Sequence, residues 1–344
     1  MKGPGLELPG GHILPHIDQL EERHFRVPTE TELAQFREIP SMAVDPIGAH
    51  EIDDAFHIER EHGKTAKFTG VIARAGLLPP DSQYVAHALD EGWSHYPYEG
   101  YQIPMLKDDK VASDYASLKG GELRPAVAFT CEVTLSGRVL NRDIEFVKTR
   151  TDAMSYGQFG EELAQGLHTD AVLMHNILRQ RNGNSRMPIK TYLRKYNGPY
   201  EASEAYAKKV ISEFMLFTNE QIGLMMHEHG IPWIYRYFDP SDRPDQSSGF
   251  EDIEEHILDM VEYLSRAFYT IEPRLHKELG KDNYSHNTSP LRRAADLFNH
   301  MILEYVMSGG DPDEVDLKVL QNWVDRLNIL IAERADKAII QLGI

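Results

Sequence analysis

The spacing of apolar and polar residues divides the chain into a strand-rich front half and a helical back half. In the front half, residues 66–75 and 124–147 are rich in the apolar and β-branched residues that favour strands. The second segment is interrupted at Ser136-Gly137, which is typical of a hairpin turn. The front half therefore predicts a set of neighbouring strands joined by short connections.

Helical periodicity begins at Thr151 and continues to the end of the chain. Before it, Thr29 and Glu32 have the spacing of a capping box, which predicts a short helix that ends at Pro40. The other predicted helices, separated by proline, glycine and polar runs, are 80–93, 159–181, 201–230, 249–271, 289–307 and 313–342. Strands followed by helices favour an α+β fold. No linker divides this pattern into two independent domains.

Composition limits the classes of protein that the chain can represent. The 344 residues include 36 Lys+Arg and 54 Asp+Glu, a net charge of −18, and a single cysteine. The cysteine count excludes an internal disulfide framework and a cysteine-rich zinc module. The chain has no apolar run near the ~20 residues of a membrane helix and no features of a signal peptide, so we expect a cytoplasmic protein with no membrane partner. Taken alone, the acidic charge argues against nucleic-acid binding.

Four carboxylates lie within ten positions: Asp45, Glu51, Asp53 and Asp54. Carboxylates this close repel one another unless a cation lies between them, and hard divalent cations prefer oxygen ligands. A turn at residues 46–48 would fold Asp45 back towards the other three. The alternative is a solvated acidic loop, the usual environment of charged residues. The apolar residues on both sides favour a metal site, for Mg²⁺ or Mn²⁺.

A second unusual segment begins at Thr288 and Ser289. Either residue can cap a helix whose first position is the following proline. Arg292 and Arg293 would then lie in the first turn, which is electrostatically unfavourable beside the positive end of a helix and is typical of a phosphate site. The alternative is that one of the two arginines pairs with Asp296 on the helix surface.

Together these segments resemble the RNB catalytic domain of the ribonuclease II and ribonuclease R exoribonucleases. The family's acidic signature, an Asp followed by D-x-D-D-A, is similar to Asp45 and residues 51–55. Its T-S-P-[IL]-R-[RK] signature is similar to residues 288–293. Further similar segments follow in the family's order, at residues 103–106 (IPML), 117–125 (SLKGGELRP), 144–146 (IEF), 213–219 (EFMLFTN) and 231–236 (IPWIYR).

The resemblance implies an RNB-type fold, with a central, mostly antiparallel or mixed sheet from the N-terminal half covered by helices from the C-terminal half. We expect residues 41–344 to form the RNB-like catalytic domain and residues 1–40 to form an extension with one short helix. The flanking OB barrels of the family are expected to be absent, because about 40 residues before Ser41 are too few for one. RNA binding should then be weak and salt-sensitive, and a protein partner that supplies additional RNA contacts is an open alternative.

The resemblance also implies an activity, which is Mg²⁺-dependent 3′-to-5′ hydrolysis of single-stranded RNA to 5′-nucleoside monophosphates. The catalytic residues would be the four acids, which also hold the metal, together with Arg292 at the scissile phosphate. The substrate-binding residues would be Tyr96 or Tyr98 as a stacking surface, Tyr156 and Glu213 at the terminal nucleotide, and Thr288, Ser289 and Arg293.

Two departures from the family concern charged residues. Glu51 replaces the second aspartate of the acidic signature, and Arg74 replaces an aspartate near the end of the predicted strand 66–75. These departures keep two alternatives open: a catalytically impaired RNA-binding or adaptor protein with the same fold, and a phosphodiesterase that acts on short oligonucleotides. The acidic net charge does not exclude RNA, since residues 171–200 contain six Lys and Arg and no acid, which predicts a local basic entrance.

Overall fold

The computed structural model describes residues 29–60, 64–78, 83–98, 101–106, 111–182, 202–239 and 267–341. These residues form the strands β1 (Arg37–Asp45), β2 (Asp54–Arg60), β3 (Thr65–Ala73), β4 (His95–Tyr98), β5 (Tyr101–Ile103), β6 (Leu123–Thr134), β7 (Val139–Ser155), β8 (Tyr235–Tyr237) and β9 (Phe268–Thr270). They also form the helices α1 (Glu30–Leu33), α2 (Gln83–Glu91), α3 (Tyr156–Ala164), α4 (Thr169–Asn182), α5 (Ala202–Glu228), α6 (Ala294–Met307) and α7 (Leu317–Gln341). No helix within these ranges is long and apolar enough to cross a membrane.

The centre of the fold is a closed barrel of five strands in the order β1-β2-β3-β6-β7. Neighbouring strands are antiparallel except for β1 and β7, which are parallel and close the barrel. The predicted α+β class and the mostly antiparallel, mixed sheet are therefore confirmed. Closure of the sheet was not predicted, because it depends on β1 pairing with β7, the most distant strand of the five in sequence.

Helix α5 covers the barrel, as predicted for the helical half of the chain. Phe214 on α5 packs against Phe56 and Phe68, with ring centres 5.0 and 5.2 Å apart. The helix approaches closely because Gly70 on β3 has no side chain: a Cβ there would lie 2.9 Å from Thr218. This contact fixes α5 across the barrel and places both of its flanks against other helices.

Local signals set several element boundaries. The predicted capping box is present, since the Thr29 N–H donates to Glu32 Oε2 at 2.7 Å and the Glu32 N–H donates to Thr29 Oγ1 at 3.3 Å. Helix α1 nevertheless ends at Leu33 rather than Pro40, because β1 begins at Arg37. The predicted hairpin turn is also confirmed, with Gly137 at φ +86° between β6 and β7. Strand β1 crosses residue 40, and the domain boundary predicted there stays a prediction.

Several predicted helices are corrected by the structure. Strand β7 continues to Ser155, past the predicted switch to helix, and the helix predicted at 159–181 is two helices, α3 and α4. They are separated by a left-handed turn with Gly166 at φ +80° and His168 at φ +52°. The end of the helix predicted at 249–271 is wrong, because residues 268–270 form β9 paired with β8. The rest of that prediction lies outside the described residues.

Candidate active site

The barrel brings the acidic residues to one end. Asp45 is the last residue of β1 and Asp54 is the first residue of β2, and these two strands are antiparallel neighbours. The loop between them is held by its backbone: the Ala73 N–H donates to the Asp53 carbonyl at 2.8 Å, and the Ile52 N–H donates to Ser117 Oγ at 3.0 Å. Residues 46–48 of the loop are exposed, but Glu51 and Asp53 are buried, which argues against the alternative of a solvated acidic cluster.

Asp53 joins the two segments that the sequence singled out. Its Oδ1 accepts the Leu291 N–H at 2.7 Å and its Oδ2 accepts the Arg292 Nε–H at 2.9 Å. The Asp53 side chain is 2% exposed and that of Arg292 is 42% exposed. A buried carboxylate thus fixes one edge of a guanidinium that a ligand can still approach.

The electrostatics of the three aspartates is dominated by burial. Burial raises the pKa of Asp53 to about 6, with Arg292 and the Leu291 N–H opposing the shift. Burial and then the neighbouring charge of Asp53 raise the pKa of Asp45 to about 7, and burial together with the charge of Asp45 raises the pKa of Asp54 well above its usual range. Arg292 opposes the shift in each case. Arg293 also opposes the shifts of Asp53 and Asp54. Asp53 is buried and Asp45 and Asp54 are half-buried, so burial and mutual repulsion disfavour three adjacent charges, which is the condition that a bound cation would relieve.

Glu51 has a different environment from the aspartates. It is buried, and its Oε1 accepts the Ser94 hydroxyl at 3.1 Å, while Ser94 Oγ accepts the Met105 N–H at 3.0 Å. Within the described ranges, no three His, Cys, Asp or Glu side chains are arranged as a ready-made metal site. Asp45, Asp53 and Asp54 lie close enough to influence one another's pKa. Glu51 is bonded to Ser94, and the four-residue ligand set stays a prediction.

The segment after Thr288 corrects the predicted helix cap. Helix α6 begins at Ala294, and the Ser289 N–H donates to Asp296 Oδ1 at 2.8 Å, so residues 289–293 form a turn before the helix. Thr288 Oγ1 accepts the Asn219 amide at 3.3 Å. Thr288 and Ser289 are buried and support the turn that carries Arg292. The arginines are consequently not in the first turn of a helix.

Arg293 pairs with Asp296, which is the alternative that the sequence left open for one of the two arginines. Its Nη2–H donates to Asp296 Oδ1 at 2.7 Å, and it also lies 3.5 Å from Thr288 Oγ1. Asp296 is fully buried, so this pair is internal rather than a surface pair. Arg292 and Arg293 are adjacent in sequence but bind different carboxylates.

Tyr156 and Glu213 lie on different sides of α5. Tyr156 follows Ser155, whose register partner is Asp45, so the tyrosine begins α3 beside the acidic end of the barrel. Lys208 Nζ on α5 lies 5.5 Å from the centre of its ring. Glu213 is five residues further along α5, about 140° around the helix, and its Oε2 lies 3.0 Å from His175 Nδ1 on α4. Tyr156 therefore begins α3 beside the acidic end, and the substrate contacts predicted for Tyr156 and Glu213 stay predictions.

The structure describes the two candidate stacking tyrosines and the predicted basic entrance only in part. Tyr96 and Tyr98 both belong to β4, and the choice between them stays a prediction. Of the predicted basic entrance, Arg179 and Arg181 lie on α4, and Arg181 Nη2 is 3.3 Å from Glu220. Residues 183–201 of that entrance lie outside the described residues.

Sequence reasoning missed two supporting interactions. Arg74, where the family has an acid, lies outside the acidic group: its Nε and Nη2 donate to Glu304 at 2.9 and 2.6 Å. Asn219 ends a segment that the sequence matched to the family but left without a role. It accepts the Asn287 N–H at 2.7 Å and donates to Thr288, which connects α5 to the Arg292 turn. The position of Asn219 in the matched segment was a usable signal, whereas Arg74 and Glu304 are 230 residues apart and carried none.

The comparisons with known proteins agree with this geometry. The model of the RNB domain family matches residues 34–309. The chain belongs to the RNB domain family. Among RNB proteins, it is 24% identical to "Ribonuclease R 1" of Lactococcus lactis subsp. lactis over 90% of this chain and 44% of that protein. The chain therefore spans less than half the length of this relative.

Solved RNB structures share the fold. RNase R of Mycoplasma genitalium, in complex with ribose-methylated single-stranded RNA, is similar with a TM-score of 0.74 and 17% identity, over 96% of this chain and 61% of that chain. Yeast Ssd1, described as a pseudonuclease, is similar with a TM-score of 0.67 and 15% identity, over 92% of this chain and 46% of that chain. At these identities the likeness establishes the RNB fold and not the activity.

Proposed function

We propose that this RNB domain is a Mg²⁺-dependent exoribonuclease that hydrolyses single-stranded RNA from the 3′ end and releases 5′-nucleoside monophosphates. One observation carries the proposal: Asp45, Asp53 and Asp54 meet Arg292 at one end of the barrel. Metal-assisted cleavage of a phosphodiester needs carboxylates for a divalent ion and a cation for the phosphate. The RNB family supplies the expectation that the substrate is RNA.

The chemistry of these donors suits a divalent cation, although their side chains are not arranged as a ready-made site. The donors are carboxylate oxygens, which Mg²⁺ and Mn²⁺ prefer. Burial is the largest cause of their raised pKa values, and neighbouring carboxylates add to it, so the charged forms lack a full counter-charge. Asp45, Asp54 and Asp53 would hold the ion, with Glu51 as the fourth acid. When bound, the ion would lower the pKa of an attacking water and polarise the phosphoryl oxygen.

The chain's own groups bind and orient the substrate. Asp53 holds the Arg292 guanidinium by its Nε–H, and the exposed remainder of that side chain faces an incoming phosphate, where charge-assisted hydrogen bonds are strongest. Arg292 would also offset negative charge that develops during cleavage. Tyr156, beside Asp45, offers a ring on which the terminal base can stack without regard to sequence.

A second candidate function has specific support. The similarity to the pseudonuclease Ssd1, the presence of Glu51 in place of an aspartate, and the engagement of both Asp53 oxygens by Leu291 and Arg292 fit an RNB protein that binds RNA without cleaving it. Arg74 does not favour this alternative, because its guanidinium is bound to Glu304.

The test uses one single-stranded RNA labelled at either end and incubated with the protein in Mg²⁺ or in EDTA. The proposal predicts stepwise shortening of the 5′-labelled strand, immediate release of labelled mononucleotide from the 3′-labelled strand, and no cleavage in EDTA. Retention of intact RNA would support the non-cleaving alternative. Internal cuts, or cleavage confined to short oligonucleotides, would refute the proposal.

A further inference from the structure

Another group of cationic and aromatic side chains lies beside the Arg292 turn and has no part in the proposed chemistry. Strand β8 places Arg236 directly opposite Tyr269 of β9. On the other side of β8, the Arg236 N–H donates to the Tyr284 carbonyl at 2.7 Å. Because opposite residues of paired strands project from the same face, Tyr269, Arg236 and Tyr284 share one face of this sheet. His286 projects from the same face because it is two residues after Tyr284. We call these four residues the Arg236 platform.

The side chains of the platform are in contact. The guanidinium carbon of Arg236 lies 5.1 Å from the centre of the Tyr269 ring. The Tyr269 hydroxyl is 3.1 Å from Nδ1 of His286, and the rings of His286 and Tyr284 meet edge to face with centres 5.7 Å apart. Tyr269 and Tyr284 are buried, whereas Arg236 and His286 are half-buried and reach the surface. The platform is a supported group of rings with a cation at one edge.

The platform is also electropositive. Burial first, and then the charges of Arg293, Arg236, His276 and Arg292, place the pKa of His286 well below its usual range, so the charges that act on this imidazole are cationic. Arg292 is paired with Asp53 and Arg293 with Asp296. Within the described ranges, Arg236 has no carboxylate partner and only the ring of Tyr269. In a chain of net charge −18, an arginine with no carboxylate partner in the described part of the chain, acting on the same imidazole as two other arginines, is a local conflict of the kind that functional sites retain.

We propose that the Arg236 platform is a second RNA-binding subsite, in which Arg236 contacts a backbone phosphate and the His286 ring contacts a base. Cations alternating with aromatic rings are the chemistry that binds single strands without sequence preference. His286 is two residues from Thr288 and near the turn that carries Arg292, so a strand that ends at Arg292 reaches the platform with its preceding nucleotides. This subsite rests on the proposed function in that it assumes the strand ends at Arg292.

The test compares Arg236→Gln with Arg37→Gln. Both substitutions remove one positive charge, but Arg37 begins β1 while Asp45 ends it, about 26 Å away along the strand. The affinity for a 5′-fluorescein-labelled single-stranded RNA is measured by anisotropy in EDTA between 50 and 200 mM salt. We expect Arg236→Gln to weaken binding about tenfold and to reduce the salt dependence of log K by about 0.7, the value of one phosphate contact on a single strand. Arg37→Gln should match the wild type.

The outcomes separate the subsite from the proposed nuclease activity. Unchanged affinity and salt dependence in a folded Arg236→Gln protein would overturn the subsite, even if the wild type degrades RNA. Weakened binding by the variant of a protein that never cleaves RNA would support the subsite and overturn the nuclease. If Arg236→Gln fails to fold, Arg236→Lys replaces it: the lysine should keep the salt dependence and lose affinity, and wild-type affinity would overturn the subsite.

Discussion

Replacing Glu304 by glutamine should destabilise the fold because it leaves Arg74 buried without a counter-charge. The two side chains are 10% and 16% exposed. The Arg74 guanidinium makes two hydrogen bonds to Glu304, and its carbon lies 3.6 Å from the centre of the Phe146 ring. The pair joins the end of β3 to α6. Because the neighbouring Ala73 N–H supports the Asp53 carbonyl at 2.8 Å, the pair also stabilises the acidic loop.

The size of the expected loss of stability follows from the burial of the ion pair. Removing one partner of a buried ion pair costs about 3–5 kcal/mol, since the other charge is left uncompensated, whereas replacing both partners by apolar residues is often close to neutral. We expect about 3 kcal/mol for Glu304→Gln and a much smaller loss for the double variant Arg74→Met/Glu304→Leu. Arg74→Asp, which restores the acid of the family, should also be destabilising because it sets two carboxylates against each other.

The assay is urea unfolding at pH 7, with the free energy of unfolding compared among the variants. The matched control is Asp170→Asn, which breaks the exposed pair of Arg60 and Asp170, whose side chains are 52% and 45% exposed. Pairs of this kind contribute about 0–1 kcal/mol. A loss for Glu304→Gln no larger than that of the control, or a double variant as unstable as Glu304→Gln, would refute the reasoning.

Three other measurements test separate parts of the structure. Gly76→Ala should destabilise the fold by about 1–3 kcal/mol, because a Cβ there would overlap the carbonyl oxygen of His300. The control Gly157→Ala, whose Cβ would meet nothing closer than 3.8 Å, should change the stability by less than about 0.5 kcal/mol. Equal changes in the melting temperatures of the two variants would contradict the packing around Gly76. Burial lowers the pKa of His276 to about 4, while the unfolded side chain titrates near pH 6.5. Its contribution to stability is therefore complete above pH 6.5 and is lost as the pH falls towards 4. The stability of the wild type relative to His276→Phe should accordingly decrease by roughly 2 kcal/mol between pH 7 and pH 4.5, and a constant difference would be inconsistent with a neutral buried histidine. Mg²⁺ at a hundred times its Kd should stabilise the wild type by about 2.7 kcal/mol, which raises its melting temperature. The melting temperature of Asp54→Asn should rise less, and an equal rise in both proteins would argue against an ion at Asp54.

The elements that the sequence predicted well are those decided by nearby residues. The capping box at Thr29, the hairpin at Gly137 and the length of α5 each depend on a few neighbours or on one helical period. Closure of the barrel does not. It depends on contacts such as the buried hydroxyls of Ser41 and Thr151, 3.1 Å apart in space and 110 residues apart in sequence.

In the candidate site, too, local features could be predicted from the sequence and long-range contacts could not. The two segments of the candidate site could be identified from their motifs, but the hydrogen bonds that Asp53 accepts from Leu291 and Arg292 arise from the tertiary fold. Ser289 has the local signals of a helix cap, yet the carboxylate of Asp296 accepts its N–H and the helix begins later. The motif does not show which flank of α5 Glu213 occupies, because its contact with His175 comes from the tertiary fold.

The charge of the chain also has a structural interpretation. Three of its acids lie together, buried or half-buried, at one barrel end. Arg292, Arg293 and Arg236 all lie close enough to His286 to influence its pKa. The net charge of −18 therefore does not describe the surface that RNA would meet. Binding through a few local cations should be sensitive to salt.

The central claim is that the aspartates at the barrel end carry out the chemistry while other groups bind the RNA. Asp54→Asn tests it most directly, because the substitution removes a charge at nearly constant volume. Single-turnover cleavage of 5′-labelled RNA in Mg²⁺ and the Kd for the same RNA are measured on one preparation. The account predicts cleavage at least about a hundredfold slower with the Kd changed by less than about threefold. Cleavage by Asp54→Asn at the wild-type rate would contradict it.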